Sequence, residues 1–214
     1  MFSIFLYSCN KDETITDPGG ETTTANIGGN IQNWPSQILI LRAIATGSAP
    51  AVVGADTVLA TGQFDMNLTV PPPSALAPIS VIVTDTSITA SDPDAFYAAF
   101  GNVSVFDLSG STSGRIEKKN FDSASVTGSF LVSYIYLDRP CDISGTSITV
   151  TGSDTTRSEV NLQLTTGWNI FHTLQTEQRP NFTGILVASG EPGGATWKYS
   201  VNPSANKLKR PFKF

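Results

Sequence analysis

The chain has 214 residues, of which 40% are hydrophobic and 14% are charged, and its formal net charge is −5. This composition is sufficient for a buried core, whereas the negative charge gives little support for nucleic-acid binding. No apolar run reaches the ~18–20 residues of a transmembrane helix. The charged fraction lies well below the roughly 25% of average globular proteins. Thr, Ser, Gly and Asn take its place, which favours strands and turns in a protein outside the cytoplasm.

The chain opens with a short apolar run, MFSIFLYS, which ends directly at Cys9. The run lacks the basic residues and the full apolar core of a secretory signal, so we interpret residues 1–8 as part of a signal peptide. The stretch LYSC resembles a bacterial lipobox, with Leu6 at position −3, Ser8 at −1 and Cys9 at +1. The resemblance implies that Cys9 is lipidated, with palmitate among its acyl chains.

Two alternatives remain for Cys9. It could be an incidental cysteine at a buried terminus, or it could form a disulfide with Cys141, the one other cysteine. Such a disulfide would have one end in a flexible leader, because residues 9–25 are rich in Thr, Gly and acid and have no hydrophobic periodicity. We therefore expect a lipidated flexible tether over 9–25. The stretch CNKDE is similar to the leader of Bacteroidetes-type lipoproteins, in which such a cluster accompanies export to the outer face of the outer membrane.

Strand patterns begin after the tether. Residues 37–46 (QILILRAIAT) are apolar and β-branched, which predicts a buried strand, and residues 79–90 predict a further strand pair. Between them, two strands are expected around a glycine turn, followed by a triple proline that ends the pairing. About residues 27–85 resemble a prealbumin-like or carboxypeptidase-regulatory-like β-sandwich, which implies a domain over 26–90. The resemblance rests on the motif G-x-F-x-x-x-L-x-x-P at Gly62, Phe64, Leu68 and Pro71.

The segment SDPDAFYAAFG, residues 91–101, interrupts this rhythm. Ser91 or Asp92 can cap a helix, Pro93 fits the first helical position and Gly101 can end it, so the segment predicts one short helix, or a 3₁₀ turn, near 92–100. Its acidic residues, together with Asp85, lack the alternating ligands and closing Glu of a calcium loop.

Strands resume from residue 102. In GSFLVSYIYL, residues 128–137, both faces are apolar, which is typical of a central strand. Residues 130–170 resemble a pattern of uncharacterised secreted bacterial lipoproteins, a tyrosine-rich strand followed by Asp-Arg and a GWN motif. We expect a second sandwich over 91–204 and a basic tail over 205–214. The predicted fold class is all-β, with one or two antiparallel β-sandwich domains and one short helix.

The sequence contains no recognisable catalytic or metal-binding motif. It lacks G-x-S-x-G, H-E-x-x-H, P-loop and dinucleotide patterns, and one histidine, His172, with a stray cysteine falls short of a zinc site. Asp138 and Arg139 are expected to form an ion pair at a strand end. We therefore predict no catalytic residue, no metal and no cofactor.

Two sets of residues are candidates for ligand contact or modification. The tryptophans could stack on sugars, although packing in or around the core is the simpler interpretation, and Trp168 with Ile170 is expected against the core. Three Asp-Ser/Thr steps resemble Bacteroidetes O-glycosylation sites. The stacking candidates are Trp34, Trp168 and Trp197, and the glycosylation candidates are Thr57, Ser123 and Thr155.

These features together predict an extracytoplasmic lipoprotein of the outer membrane or cell surface, with a structural or binding role and no enzymatic activity. Its expected partners are the membrane, through the lipid anchor, and a glycan or surface protein, but not nucleic acid. The alternatives are a carbohydrate-binding accessory protein of a surface glycan system and a hydrolase.

Deletion of Asn10–Thr24 is expected to leave the thermal midpoint of unfolding unchanged within error, because a segment of this composition supplies no core contacts. Calorimetry of the deletion variant beside the full chain measures the difference. A midpoint many degrees lower would show that the leader belongs to the sheet.

Overall fold

The computed structural model describes residues 25–122 and 126–201, so the expected signal peptide and basic tail lie outside the described residues. The described residues form β-strands and two short 3₁₀ turns, with no α-helix among them, which confirms the all-β fold. The 3₁₀ turns are Pro73–Ala75 and Ile79–Val81. The strands are β1 (Ala25–Gln32), β2 (Leu39–Thr46), β3 (Pro50–Val58), β4 (Gln63–Leu68), β5 (Ala77–Pro78), β6 (Ile88–Ala90), β7 (Phe96–Phe100), β8 (Val103–Phe106), β9 (Thr112–Lys119), β10 (Phe130–Leu137), β11 (Cys141–Thr151), β12 (Asp154–Leu164), β13 (Gly167–Arg179), β14 (Phe182–Ser189) and β15 (Thr196–Val201).

The strands form one continuous hydrogen-bonded network. Its order is β4-β1-β15-β9-β8-β2-β7-β10-β13-β14-β12-β11-β6, with β3 added to β2 and β5 added to β7. A further pairing of β9 with β10 closes a circuit through β8, β2 and β7. The pairings β1–β15 and β12–β14 are parallel, so the sheet is mixed and not wholly antiparallel as expected.

Two hydrophobic cores fill this network. The first core is built mainly from β1–β4, β8–β10 and β15, and the second from β11–β14 with the segment from β5 to β7. Both cores take residues from before and after residue 90, and β7 and β10 contribute side chains to both. Fully buried residues of the first core include Leu41, Met66, Val105 and Ile116, and those of the second include Ile79, Leu137, Ile143 and Leu162.

The two shared strands alternate their side chains between the cores, because successive residues of a strand point to opposite faces. On β10, Val132 and Tyr134 enter the first core, whereas Ile135 and Leu137 enter the second. On β7, Phe100 faces the first core. The prediction of a central strand over 128–137 is therefore confirmed.

The predicted helix near 92–100 is wrong, because Phe96–Phe100 is strand β7. Asp92 forms a turn instead, in which its side chain accepts a hydrogen bond from the Asp94 N–H and its carbonyl accepts one from Ala95. The run FYAAF is buried between β2 and β10, and that tertiary pairing outweighs the local helix signals. The strand pair predicted over 79–90 is likewise reduced to a 3₁₀ turn and the three-residue β6.

Truncations in the two cores are expected to destabilise the same cooperative unit, since β7 and β10 belong to both. Leu41→Ala in the first core and Ile143→Ala in the second should each lower the free energy of unfolding by about 2–5 kcal/mol. Urea denaturation followed by tryptophan fluorescence and by circular dichroism measures both effects. Leu108→Ala, at a position 70% exposed, is the control and should change stability by less than about 0.5 kcal/mol.

The cooperative interpretation fails if either core variant splits unfolding into two separate transitions.

Candidate functional site

Two of the three tryptophans belong to an aromatic cluster in the first core. Trp197 is 4% exposed, its ring is parallel to that of Tyr134 at 6.2 Å, and Tyr134 in turn stacks on Phe100 at 5.0 Å. Trp168 is half-buried and meets Phe100 edge-on at 5.5 Å. Burial raises the pKa of the Tyr134 hydroxyl, with a smaller contribution from the charge of Glu191. The cluster therefore packs the core and keeps its members in apolar surroundings.

The indole N–H groups of all three tryptophans are bonded to the backbone. Trp197 donates to the Gly28 carbonyl at 3.1 Å, and Trp168 donates to the Thr69 carbonyl at 3.0 Å. Trp34 is half-buried and donates to the carbonyls of Gln37 and Leu59. The bonds to the Gly28, Thr69 and Leu59 carbonyls each tie two separate chain segments together, as expected of structural tryptophans.

The structure therefore does not bring the three tryptophans together as one exposed stacking face. Trp34 packs edge-on against Tyr199 at 5.6 Å, whereas Trp168 and Trp197 pack against Phe100 and Tyr134. Trp168 does pack against the first core as expected, but Ile170 is 40% exposed and does not. Phe171 is the buried residue of this segment and lies in the second core.

The acidic side chains suspected of metal binding are used in turns. Asp85 accepts hydrogen bonds from the Ser147 hydroxyl and the Ser87 N–H, which hold the pKa of its carboxyl below the ordinary value. In the described part of the chain, no group of three or more His, Cys, Asp or Glu side chains is placed to hold a metal ion.

The remaining titratable candidates also have structural partners. Asp138 accepts a hydrogen bond from the Phe96 N–H and pairs with Arg139 at 3.2 Å, which confirms the expected ion pair at the end of β10. The same Asp138 contacts raise the pKa of Arg139. His172 Nδ1 lies 3.0 Å from the Gly190 carbonyl oxygen, and the buried Cys141 thiol donates to the Asp92 carbonyl.

Of the predicted modification sites, two are described. Thr57 is exposed on β3, and Thr155 is half-buried on β12, paired with Val150 and Phe182. Cys9 and Ser123 lie outside the described residues. Lipidation and glycosylation therefore stay predictions.

One exposed feature is a sheet that extends beyond the second core, and we call it the distal sheet. It consists of residues 146–151 of β11, 154–159 of β12, 174–179 of β13 and 182–186 of β14. All of its residues are exposed or half-buried except Ser147 and Gly184. Leu174 packs against the first core and Ile185 against the second, whereas residues 148–151 of β11 are exposed on both faces. This outer part of the sheet is therefore open to a partner.

The two faces of the distal sheet differ in chemistry, since residues directly opposite each other on neighbouring strands share a face. One face carries Ile148, Val150 and Phe182, and the Arg179 guanidinium lies 4.7 Å from the centre of the Phe182 ring. The other face carries mainly hydroxyl groups, from Thr149, Thr151, Thr156 and Thr183.

The sequence analysis did not single out this surface. Its one sequence signal is the run SITVT, in which apolar residues alternate with hydroxyl residues and no charge occurs. That alternation is typical of any half-exposed strand, so it could not show that both faces are open.

No protein-family model, curated protein or solved structure matches the chain. The described residues include no helix of the length and hydrophobicity that a membrane crossing needs.

Truncation of Trp168 tests its structural role. Trp168→Ala should lower the free energy of unfolding by about 3 kcal/mol, because the ring packs against Phe100 and Tyr136. Trp168→Phe keeps an aromatic ring but removes the donor to the Thr69 carbonyl, and should cost about 1 kcal/mol. Equilibrium urea denaturation measures both values. A silent Trp168→Ala variant would mean that the ring faces solvent and is free to stack on a ligand.

Proposed function

We propose that the protein is an extracytoplasmic lipoprotein, anchored to a membrane through acyl chains on Cys9, whose β-structure has a structural or binding role. The observation that carries the proposal is the sequence context of Cys9, between an apolar run and a polar tether. Each methylene buried in lipid contributes about 0.8 kcal/mol, and one acyl chain binds only marginally. Several acyl chains on the cysteine would hold the protein firmly.

The tether sets how far the β-structure stands from the anchor. A flexible chain of about 16 residues has a root-mean-square reach of roughly 20–24 Å. That reach would hold the domain beyond the lipid headgroups and leave its surfaces open to partners. The resemblance of CNKDE to Bacteroidetes-type leaders favours the outer face of the outer membrane as the location.

The contacts of the polar side chains support a binding or structural role over catalysis. Asp85, Asp138 and His172 all bond to turns, strand ends or backbone carbonyls. None of these three contacts joins one candidate residue to another, as a general base and the group that orients it would be joined. The hydrolase alternative therefore has no pair of residues in its favour.

The carbohydrate-binding alternative depends on open tryptophan rings. Trp197 is buried, and the indole N–H groups of Trp34, Trp168 and Trp197 are all bonded to backbone carbonyls. We therefore rank this alternative below a role in protein binding through the distal sheet.

Replacement of the two cysteines tests the anchor. The full chain, preceded by a complete lipoprotein signal peptide, is expressed in a bacterium that processes lipoproteins and is labelled with an alkyne fatty acid. Cys9→Ser should abolish labelling and move the protein from the membrane to the soluble fraction. Cys141→Ser is the matched control, since Cys141 is buried in the second core, and it should stay labelled and membrane-bound.

Membrane retention of Cys9→Ser equal to that of the unaltered chain would refute the lipoprotein proposal. Loss of labelling in both variants would also count against it, because labelling would then depend on correct folding and not on Cys9 as the acylated residue.

A further inference from the structure

The outer edge of β11 is open over about half of its length. On one side β11 pairs with β12 along its whole length, from Cys141–Leu164 to Thr151–Asp154. On the other side β6 pairs only with Ile143–Gly145. Among the described residues, no strand pairs with the outer side of residues 146–151.

The backbone groups that point outward along this edge can be identified from the neighbouring pairing. The Asp142 carbonyl accepts a hydrogen bond from the Ser91 N–H, and the Ser144 carbonyl accepts one from the Thr89 hydroxyl. Backbone groups alternate in direction along a strand, so the even-numbered residues point to the outer side. The N–H and C=O groups of Ile148 and Val150 therefore point outward, where no described strand receives them.

From Ile148 to Thr151 the open edge has none of the features that usually protect an edge strand; at the start of the unpaired segment, Ser147 is buried and its hydroxyl donates to the Asp85 carboxylate. Such edges normally carry charged residues, proline, a bulge or a covering loop, because an open edge is a template for pairing with another chain. The segment TSITVT is uncharged and rich in β-branched residues, and Ile148 and Val150 are 64% and 66% exposed. The register of β11 with β12 is continuous through this segment, with no bulge.

We propose that a second copy of this chain pairs with β11 through this edge, antiparallel and across a two-fold axis at Thr149. The unpaired part of the β11 edge lies between Gly145, where the pairing with β6 ends, and Gly152, where the hairpin turn starts. An axis at Thr149 places residues 147–151 of one copy opposite residues 151–147 of the other, so both copies use the same unpaired segment.

This register is self-complementary in both hydrogen bonding and side chains. It sets Ile148 opposite Val150 of the second copy, and Val150 opposite Ile148, so the outward backbone groups of both residues are paired. Two exposed apolar side chains then meet two others across the junction. The paired segments carry no charge, so no like-charge repulsion opposes the association.

A contact between two strand edges is small, so the dimer is of the weak, concentration-dependent class. Its formation does not require the lipid anchor, and it can therefore be tested on the full chain carrying Cys9→Ser. Anchoring would strengthen it by confining the copies to one surface.

Disulfide trapping tests the register directly. With the axis at Thr149, the two Thr149 residues form a non-hydrogen-bonded pair with Cα atoms about 4.5 Å apart, which lies within disulfide range. Thr149→Cys in the Cys9→Ser chain should give a covalent dimer on mild oxidation with oxidised glutathione. Thr151→Cys is the matched control: the residue is exposed on the same face, but the two copies lie about 13 Å apart along the strands and should not cross-link. Cys141 is buried and does not interfere.

Sedimentation velocity over a concentration series tests the association itself. The Cys9→Ser chain should show a rising dimer fraction, and Ile148→Lys should abolish it, because charge at an open edge opposes pairing. Leu108→Lys, at a position 70% exposed at the β8–β9 turn, is the control for an added surface charge and should dimerise normally. Circular dichroism checks that each variant is folded.

A chain that stays monomeric at the highest concentration overturns the proposal. So does equal cross-linking of the Thr149→Cys and Thr151→Cys variants, since that would indicate random collision. Equal dimerisation of the Ile148→Lys and Leu108→Lys variants would place the contact elsewhere on the surface.

Discussion

The structure depends on two strands, β7 and β10, whose two faces are both removed from water. Polar side chains on such strands would lose their hydration without gaining partners, so both faces must be apolar. Apart from Ser133 on β10, whose buried hydroxyl has no hydrogen-bond partner among the described residues, the runs FYAAF and FLVSYIYL meet this requirement, and they join two hydrophobic cores into one pairing network. Because the cores share these strands, neither core can form completely without contributing to the other.

The two shared strands also explain the roles of the aromatic side chains. Tyr134 on β10 and Phe100 on β7 point into the first core, where Trp168 and Trp197 pack around them. The tryptophans serve the core and, through their indole N–H groups, fix remote segments such as Thr69 and Gly28. Asp138 lies at the end of β10, where it pairs with Arg139 and accepts a hydrogen bond from the Phe96 N–H, and a second group of charges, Arg115, Glu117 and Lys119, pairs along β9.

The sequence predicted features that depend on local alternation and missed those that depend on tertiary pairing. The central position of β10 follows from apolar residues on both faces, and the turn between β3 and β4 follows from Gly62, whose φ of +75° favours glycine, although these two strands pair with β2 and β1 and not with each other. Residues 92–100 carried true helix signals, yet burial between β2 and β10 selected a strand. Ile170 alternates correctly with Trp168 and pairs with Tyr134, yet it is 40% exposed, which alternation alone does not reveal. The distal sheet was missed because one strand's alternation does not reveal whether a second layer covers it.

The end of the second core explains why an open edge exists at all. The buried side chains of β11 and β12 in this core stop at Ile143 and Val160, whereas both strands continue to the turn at Gly152. Beyond the core these strands are held by their ladder hydrogen bonds, by cross-strand side-chain pairs that contribute roughly 0.2–1 kcal/mol each, and by the bond from the Ser147 hydroxyl to Asp85. An added strand would satisfy the outward backbone groups of Ile148 and Val150 and add cross-strand contacts to β11. If the chain is held at a membrane surface, that gain would be available wherever two copies meet, so association would stabilise a part of the sheet that lies beyond the second core.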